Sequence, residues 1–193
     1  MASGMLYRLL PVLILALLQA GLCQATPSDG APYVIEVIKS QKKLLVRHGD
    51  RVEKVFQAAV GKGGPGDKLR RGDHKTPVGT YRIVGFNPNS RYSLFMQLNY
   101  PNIKDAFFGL KGGLISREQF DAIVRALKEG RLPPQDTPLG GAIGIHGLGE
   151  ENGKKLVIHR NYNWTEGCIA LTNAEVRELR RYITIGTKVV IRE

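Results

Sequence analysis

The chain has 193 residues, 42% apolar and 7% aromatic, enough for one ordinary core and too little for two full-sized domains. Twenty-eight Lys and Arg against 17 Asp and Glu give a formal charge of +11, which excludes an acidic disordered tail, while 23 Gly and 10 Pro point to many turns rather than a long helical array. The charge asks for an anionic partner; nucleic acid, acidic lipid and acidic cell-wall polymer satisfy it equally.

The first segment separates these. Arg8 is the only charged side chain before Asp29, and it precedes Leu9–Leu18, an apolar run broken only by Pro11, with small and polar residues from Gln19 to Ala25. The run is shorter than the roughly 17 to 25 residues a spanning helix needs, so residues 1–25 read as a secretory signal cleaved after Ala25, with no stable membrane span after its removal. Lipid attachment at Cys23 is the competing expectation, against which the large Leu22 stands where a lipoprotein signal wants a small residue. Cleavage removes Cys23 and leaves Cys168 as the one cysteine of the exported chain. A thiol without an internal partner is buried and inert, joined to another molecule, or reactive.

Residues 26–32 form a lead-in rich in Pro, Ser, Gly and Asp, and the domain spans 33–193. Short β-type segments follow at Tyr33–Ile38, Leu44–Arg47, Val52–Ala59 and Thr80–Val84, then at Leu94–Leu98, Ala142–Ile145, Ile169–Leu171 and Lys188–Ile191. Lys62–Lys75 is a basic, Gly-containing loop without the Gly-Lys-Ser/Thr ending of a phosphate-binding loop. Two helices interrupt the strands. Ser116 with Gln119 reads as a capping box, followed by Phe120, Ile123, Val124 and Leu127 at helical spacing until Gly130. Thr172 with Glu175 repeats the device ahead of Val176, Leu179 and Ile183, and its arginines Arg177, Arg180 and Arg181 form a solvated face. The fold class is mainly β with two packed helices.

Four histidines accompany the thiol. His48 and His74 lie in polar turns and read as exposed loop residues. His146 closes the apolar run from Ala142 and precedes Gly147, at a strand end where backbone can approach a ligand; Cys168 has a matching setting, between Gly167 and a short strand. Together they could supply a thiolate nucleophile and an imidazole that takes and returns its proton, with N–H groups around Gly167 and Cys168 stabilising an oxyanion. A buried structural cysteine near a satisfied core histidine fits the same pattern, and the residues alone leave both readings open. Neither Cys-x-x-Cys nor His-Glu-x-x-His spacing is present, so no metal site and no cofactor are expected.

Ile145-His146-Gly147, followed by Trp164-Thr165-Glu166-Gly167-Cys168-Ile169-Ala170-Leu171-Thr172-Asn173, resembles the active-site signature of the L,D-transpeptidase catalytic domain family. Gly72-Asp73-His74-Lys75-Thr76-Pro77-Val78-Gly79-Thr80-Tyr81 resembles its turn and strand. Asn87–Tyr92 through Tyr100-Pro101-Asn102 resembles its murein-processing branch, and the resemblance covers 33–193. It implies a β-sandwich or barrel-like sheet acting on peptidoglycan stem peptides in the periplasm of a Gram-negative bacterium. Cys168 would form a thioester with the peptide, His146 would act as base and acid, and the Gly147 carbonyl would orient the imidazole. His159 falls where relatives of this branch also carry histidine, a candidate substrate contact or support.

Two positions depart from the family pattern. Glu166 replaces the histidine of Ser/Thr-His-Gly-Cys, and Ala170 stands where an arginine follows the cysteine; Arg91 and Arg160 are candidates to hold a substrate carboxylate instead. The variant resembles the branch containing an enzyme that detaches lipoprotein from peptidoglycan. Transfer to an amine, transfer to water with a wall-anchored lipoprotein as partner, and a silent peptidoglycan-binding module are therefore the competing functions. Nucleic acid is not expected as a partner.

Overall fold

The computed structural model describes Met1 and residues 32–193; the expected signal at 1–25 and almost all of the lead-in at 26–32 lie outside the described residues. Strands β1 (Tyr33–Ile38), β2 (Lys43–His48) and β3 (Arg51–Gln57) form a meander whose turns use positive φ at Lys42 and Gly49. The long strand β4 (Gly79–Ser90) returns as β5 (Ser93–Leu98), and helices α1 (Ile103–Lys111) and α2 (Arg117–Lys128) follow. The chain re-enters the sheet as β6 (Gly144–His146), crosses through α3 (Gly153–Asn161) to β7 (Ile169–Ala170), and continues into α4 (Asn173–Leu179), a 3-10 turn at Arg180–Tyr182 and β8 (Lys188–Arg192).

The eight strands run in the order β3-β2-β1-β8-β4-β5-β6-β7, with β1–β8 and β6–β7 parallel. Beyond β3 the chain bends to the far edge, where Ala59 and Ala170 exchange backbone hydrogen bonds of 3.0 and 2.8 Å and Gly61 bridges Thr165. These isolated bridges carry the chain beyond β3 onto β7, so the two ends of the sheet are joined in the expected barrel-like manner. Its interior holds Ile35, Leu44, Tyr81, Met96, Ile145 and Ile169, all fully buried, each stabilising the fold by roughly 1.5–3 kcal/mol. A smaller core of Ala106, Ile115, Ile123 and Leu139 joins α1 to α2.

The two expected helices are present as α2 and α4, each with its capping box, and two more accompany them. Helix α1 has a capping box of Asn102 and Asp105, but Ile103, Phe107 and Phe108 are exposed, so its apolar residues do not mark one buried face. Helix α3 buries His159 alone and carries no apolar stripe, which hides it from a periodicity argument. Strand bounds shift for local reasons. Strand β3 stops at Gln57, leaving Ala59 to the isolated bridge that closes the barrel. Strand β6 begins only at Gly144 because Ala142 takes a left-handed φ of 54°.

Candidate active site

Parallel pairing of β6 with β7 sets the site. Ile145 opposes Ile169 and His146 opposes Ala170, so Ile145 and Ile169 face the core while His146 and Cys168, two residues before Ala170, share the other face. That face is the floor of a cavity of about 780 Å³ whose wall includes both side chains. Gly167 adopts φ +130°, and a Cβ there would lie 2.8 Å from the Lys75 carbonyl, so the turn that presents Cys168 tolerates glycine alone. Thr165 fixes the turn: its hydroxyl donates to the Cys168 carbonyl at 2.6 Å and accepts from Gly167 N–H at 3.3 Å.

His146 Nδ1 lies 2.7 Å from the Gly147 carbonyl. A carbonyl only accepts, so Nδ1 carries the proton and Nε2 is the basic nitrogen. Gly147 is hemmed in as well, since a Cβ would come within 2.6 Å of Asn173 Oδ1 and 2.7 Å of the Tyr92 carbonyl. Asn173 ties this corner to the start of α4: Oδ1 accepts from Leu148 and Gly149 N–H at 2.9 and 3.1 Å, and Nδ2 donates to the Gly149 carbonyl at 2.6 Å. The imidazole is only 3% exposed. Tyr92 lies on it with ring centroids 4.4 Å apart, Phe95 stacks at 6.1 Å, and Trp164 meets it edge-on at 6.0 Å.

These surroundings set the charge states. Burial pushes the His146 imidazole down to about 4, helped by the nearby positive groups and opposed by the Gly147 carbonyl. Cys168 is partly exposed to the cavity, yet crowding by protein pushes its thiol up to about 11, with Gly144 N–H and Lys68 opposing and Glu166 adding to the rise. At neutral pH both are uncharged, and the Sγ–H donates to the Ala142 carbonyl at 3.3 Å. The arrangement places a thiol and a neutral imidazole in one basic enclosure, groups that can serve acyl transfer as nucleophile and base.

The imidazole also makes a stability prediction. Its ordinary value of 6.5 applies in the unfolded chain and about 4 in the folded one, so on acidification the unfolded chain takes up a proton the folded chain refuses. The stabilisation is present above 6.5 and lost as pH falls, on the order of 2 kcal/mol by about pH 5. Buried His159, also shifted down by desolvation, acts with the same sign. Urea unfolding at pH 7 and pH 5 checks this, and His146→Gln removes His146's share of the difference.

Arg91 lines the cavity, its guanidinium stacked 4.8 Å above the Tyr92 ring and 2.8 Å from the Tyr92 hydroxyl. His159 and Arg160 do not line it. His159 is 1% exposed, behind Trp164, whose Nε1 faces its Nδ1 at 3.5 Å, and its Nε2 has no partner among the described residues. It therefore supports Trp164 rather than touching a ligand in the cavity. Arg160 is exposed on α3, and its carbonyl accepts from Lys42 and Gln57, because the helix turns its side chain outward. His74, expected as a plain loop residue, lines the cavity near Glu166, with Nδ1 3.9 Å from Oε1.

Residue-type reasoning did not single out Tyr92, Trp164, Asn173, Lys68, Arg71 or Gln135. The first three lie inside the quoted motif segments; the others are placed only by the fold. Lys68 is held by Asp73 at 2.8 Å, and Asp73 also accepts from Leu69, Arg70 and Lys75 N–H. Burial opposes ionisation of Asp73, but Lys68 and these amides outweigh it and keep its carboxyl below the usual value. Ala170 is fully buried, so the family arginine has no room there. No group of His, Cys, Asp and Glu suited to a metal occurs among the described residues.

The class the fold defines is a mainly β domain with four helices among the described residues, in which a cysteine beside the edge strand β7 and a histidine on the neighbouring β6 share one cavity. Residues 32–191 match the model of the YkuD family, described as the L,D-transpeptidase catalytic domain, and the chain belongs to that family. It is 32% identical over 89 residues to the protein named Putative L,D-transpeptidase YafK of Escherichia coli K12, a match covering 43% of this chain and 36% of that protein. The solved structure of the helical cell shape determining protein Pgp2 from Campylobacter jejuni has the same fold, with a TM-score of 0.55, 22% identity and coverage of 86% of this chain and 49% of that one. An L,D-transpeptidase from Mycobacterium smegmatis gives a TM-score of 0.50 at 11% identity, over 85% of this chain and 60% of that one. The matches thus span about a third to three fifths of these relatives.

Proposed function

We propose that the protein is an exported cysteine acyltransferase that acts on peptidoglycan stem peptides through a thioester on Cys168. The observation that supports this most is the placing of Cys168 and His146 on one face of the β6–β7 pair, in a cavity whose other charged groups are mainly cationic. His146 Nε2 takes the Sγ proton as sulfur adds to the peptide carbonyl carbon. The C–N bond then breaks, and the imidazolium gives its proton to the departing amine. An acceptor amine attacks the thioester and loses its proton to His146; the C–S bond then breaks, and the imidazolium returns the proton to the departing sulfur. The Cys168 N–H is the proposed oxyanion donor, joined by the Gly167 N–H only if it leaves its 3.3 Å bond to the Thr165 hydroxyl, and Arg91 is the proposed partner of a substrate carboxylate.

Water can take the acceptor's place, which makes the same acyl-enzyme a murein hydrolase that releases a wall-attached protein. The observation favouring this second reading is Glu166, an exposed carboxylate at the cavity wall, at the position of the histidine in the family pattern that the motif resembles. The basic charge would hold the enzyme near carboxylate-rich murein. We assign the site of action to the periplasm, following a signal at 1–25. Incubating the purified protein with purified murein and analysing the digest by mass spectrometry tests the proposal. New crosslinks support transpeptidation, released peptides or lipoprotein support hydrolysis, and retention without turnover contradicts both.

A further inference from the structure

Ala142 holds φ at 54°, a left-handed conformation that a Cβ disfavours. Its neighbour explains how it stays there. Gln135 Oε1 accepts from Ala142 N–H at 2.7 Å, while Gln135 Nε2 donates to the Tyr100 and Pro133 carbonyls at 2.8 and 2.7 Å, which fixes both ends of the amide. Gly141 closes the gap, since a Cβ there would fall 2.6 Å from the Gln135 carbonyl oxygen and 2.7 Å from Oε1. The consequence is an Ala142 carbonyl turned toward the cavity, where it accepts the Cys168 Sγ–H at 3.3 Å. A carbonyl has no proton to give, so the contact exists only while sulfur is protonated and favours thiol over thiolate.

We propose that Gln135 is a positioning residue that holds Ala142 left-handed and so parks the Cys168 proton on the Ala142 carbonyl until a bound acyl donor draws the sulfur to His146 Nε2. This rests on the reading of Cys168 as nucleophile. No bond beyond that mechanism is made: the proton stays on sulfur while parked and passes to the imidazole on attack. The titratable and charged groups that share the cavity with the sulfur are Lys68, Arg71 and His74 from the 62–78 loop, Glu166 from its own turn, Arg91 from the β4–β5 turn and His146 from β6. Arg71 donates to the Gln135 backbone carbonyl at 3.2 Å, and none of these groups bonds the Gln135 side-chain amide, so replacing that side chain leaves their charges in place.

The test is the pH dependence of Cys168 alkylation by iodoacetamide in the purified protein. Gln135→Ala is expected to lower the midpoint of the rate profile by about half to one pH unit with the high-pH limiting rate unchanged. The rate at neutral pH then rises about threefold to tenfold, the span of one neutral hydrogen bond. Ala142→Val keeps Gln135 but disfavours the left-handed backbone, and gives the same shift; it decides the matter if circular dichroism finds Gln135→Ala unfolded. Adding Ala142→Gly to Gln135→Ala moves the midpoint back toward wild type, because glycine takes positive φ unaided. An unchanged midpoint in both single variants, or a higher limiting rate alone, overturns the proposal. Alkylation reads the thiol without turnover, so an enzyme inactive on murein would sink the proposed function and leave this test standing.

Discussion

Cys168→Ala is expected to reduce turnover of murein by roughly a thousandfold or more, with the thermal midpoint nearly unchanged. The loss is large because a methyl group cannot form the thioester, and removal of a nucleophile typically takes away most of the chemical acceleration. Stability is spared because Cys168 is partly exposed and the hydrogen bond its thiol donates, to Ala142, is long and weak. The turn keeps its other ties, from the Thr165 hydroxyl to the Cys168 carbonyl and from Ala170 to Ala59. Muropeptide analysis beside a thermal melt checks both halves.

The second large effect belongs to His146. His146→Gln preserves a donor toward the Gly147 carbonyl but removes the basic nitrogen, and the expected loss is again roughly a thousandfold at neutral pH. The wild-type profile should also have a particular shape. With the imidazole near 4 and the thiol near 11, the uncharged pair is the resting form across the whole neutral range. The kcat/KM profile is therefore a broad plateau that falls on the acid side as His146 protonates. A narrow bell centred near pH 7 would point to a preformed ion pair instead. Steady-state rates on a soluble stem peptide between about pH 4 and pH 10 distinguish the two shapes.

Much of this arrangement was legible in the residues. The short apolar strands and the capping boxes at Ser116 and Thr172 are local signals, and the fold keeps them with shifted boundaries, the largest at β4, which runs on to Ser90 rather than ending at Val84. Helices α1 and α3 were not legible because neither places an apolar stripe on a buried face. The family motif carried His146 and Cys168 to one place, which spacing could not do, since 21 residues, including a helix, lie between them. Gln135 and Lys68 gave no signal at all. Each reaches the cavity from a loop whose course depends on distant ties: for Lys68 the Glu193 carboxylate that accepts from Gly66 N–H, and for Gln135 the Tyr100 carbonyl that accepts from its amide. The arginine expected at Arg160 fails for the same kind of reason, because its helix, unseen in the pattern, turns it to solvent.

A covalent intermediate on one sulfur is the claim on which the functional reading depends. Acid quenching during turnover of a stem peptide, followed by mass spectrometry of the protein and its proteolytic fragments, tests it most directly. The expected result is an acyl adduct on the fragment containing Cys168, lost on treatment with hydroxylamine and missing from Cys168→Ala. Product accumulating while that fragment stays unmodified throughout, or an adduct carried by another residue, would contradict it.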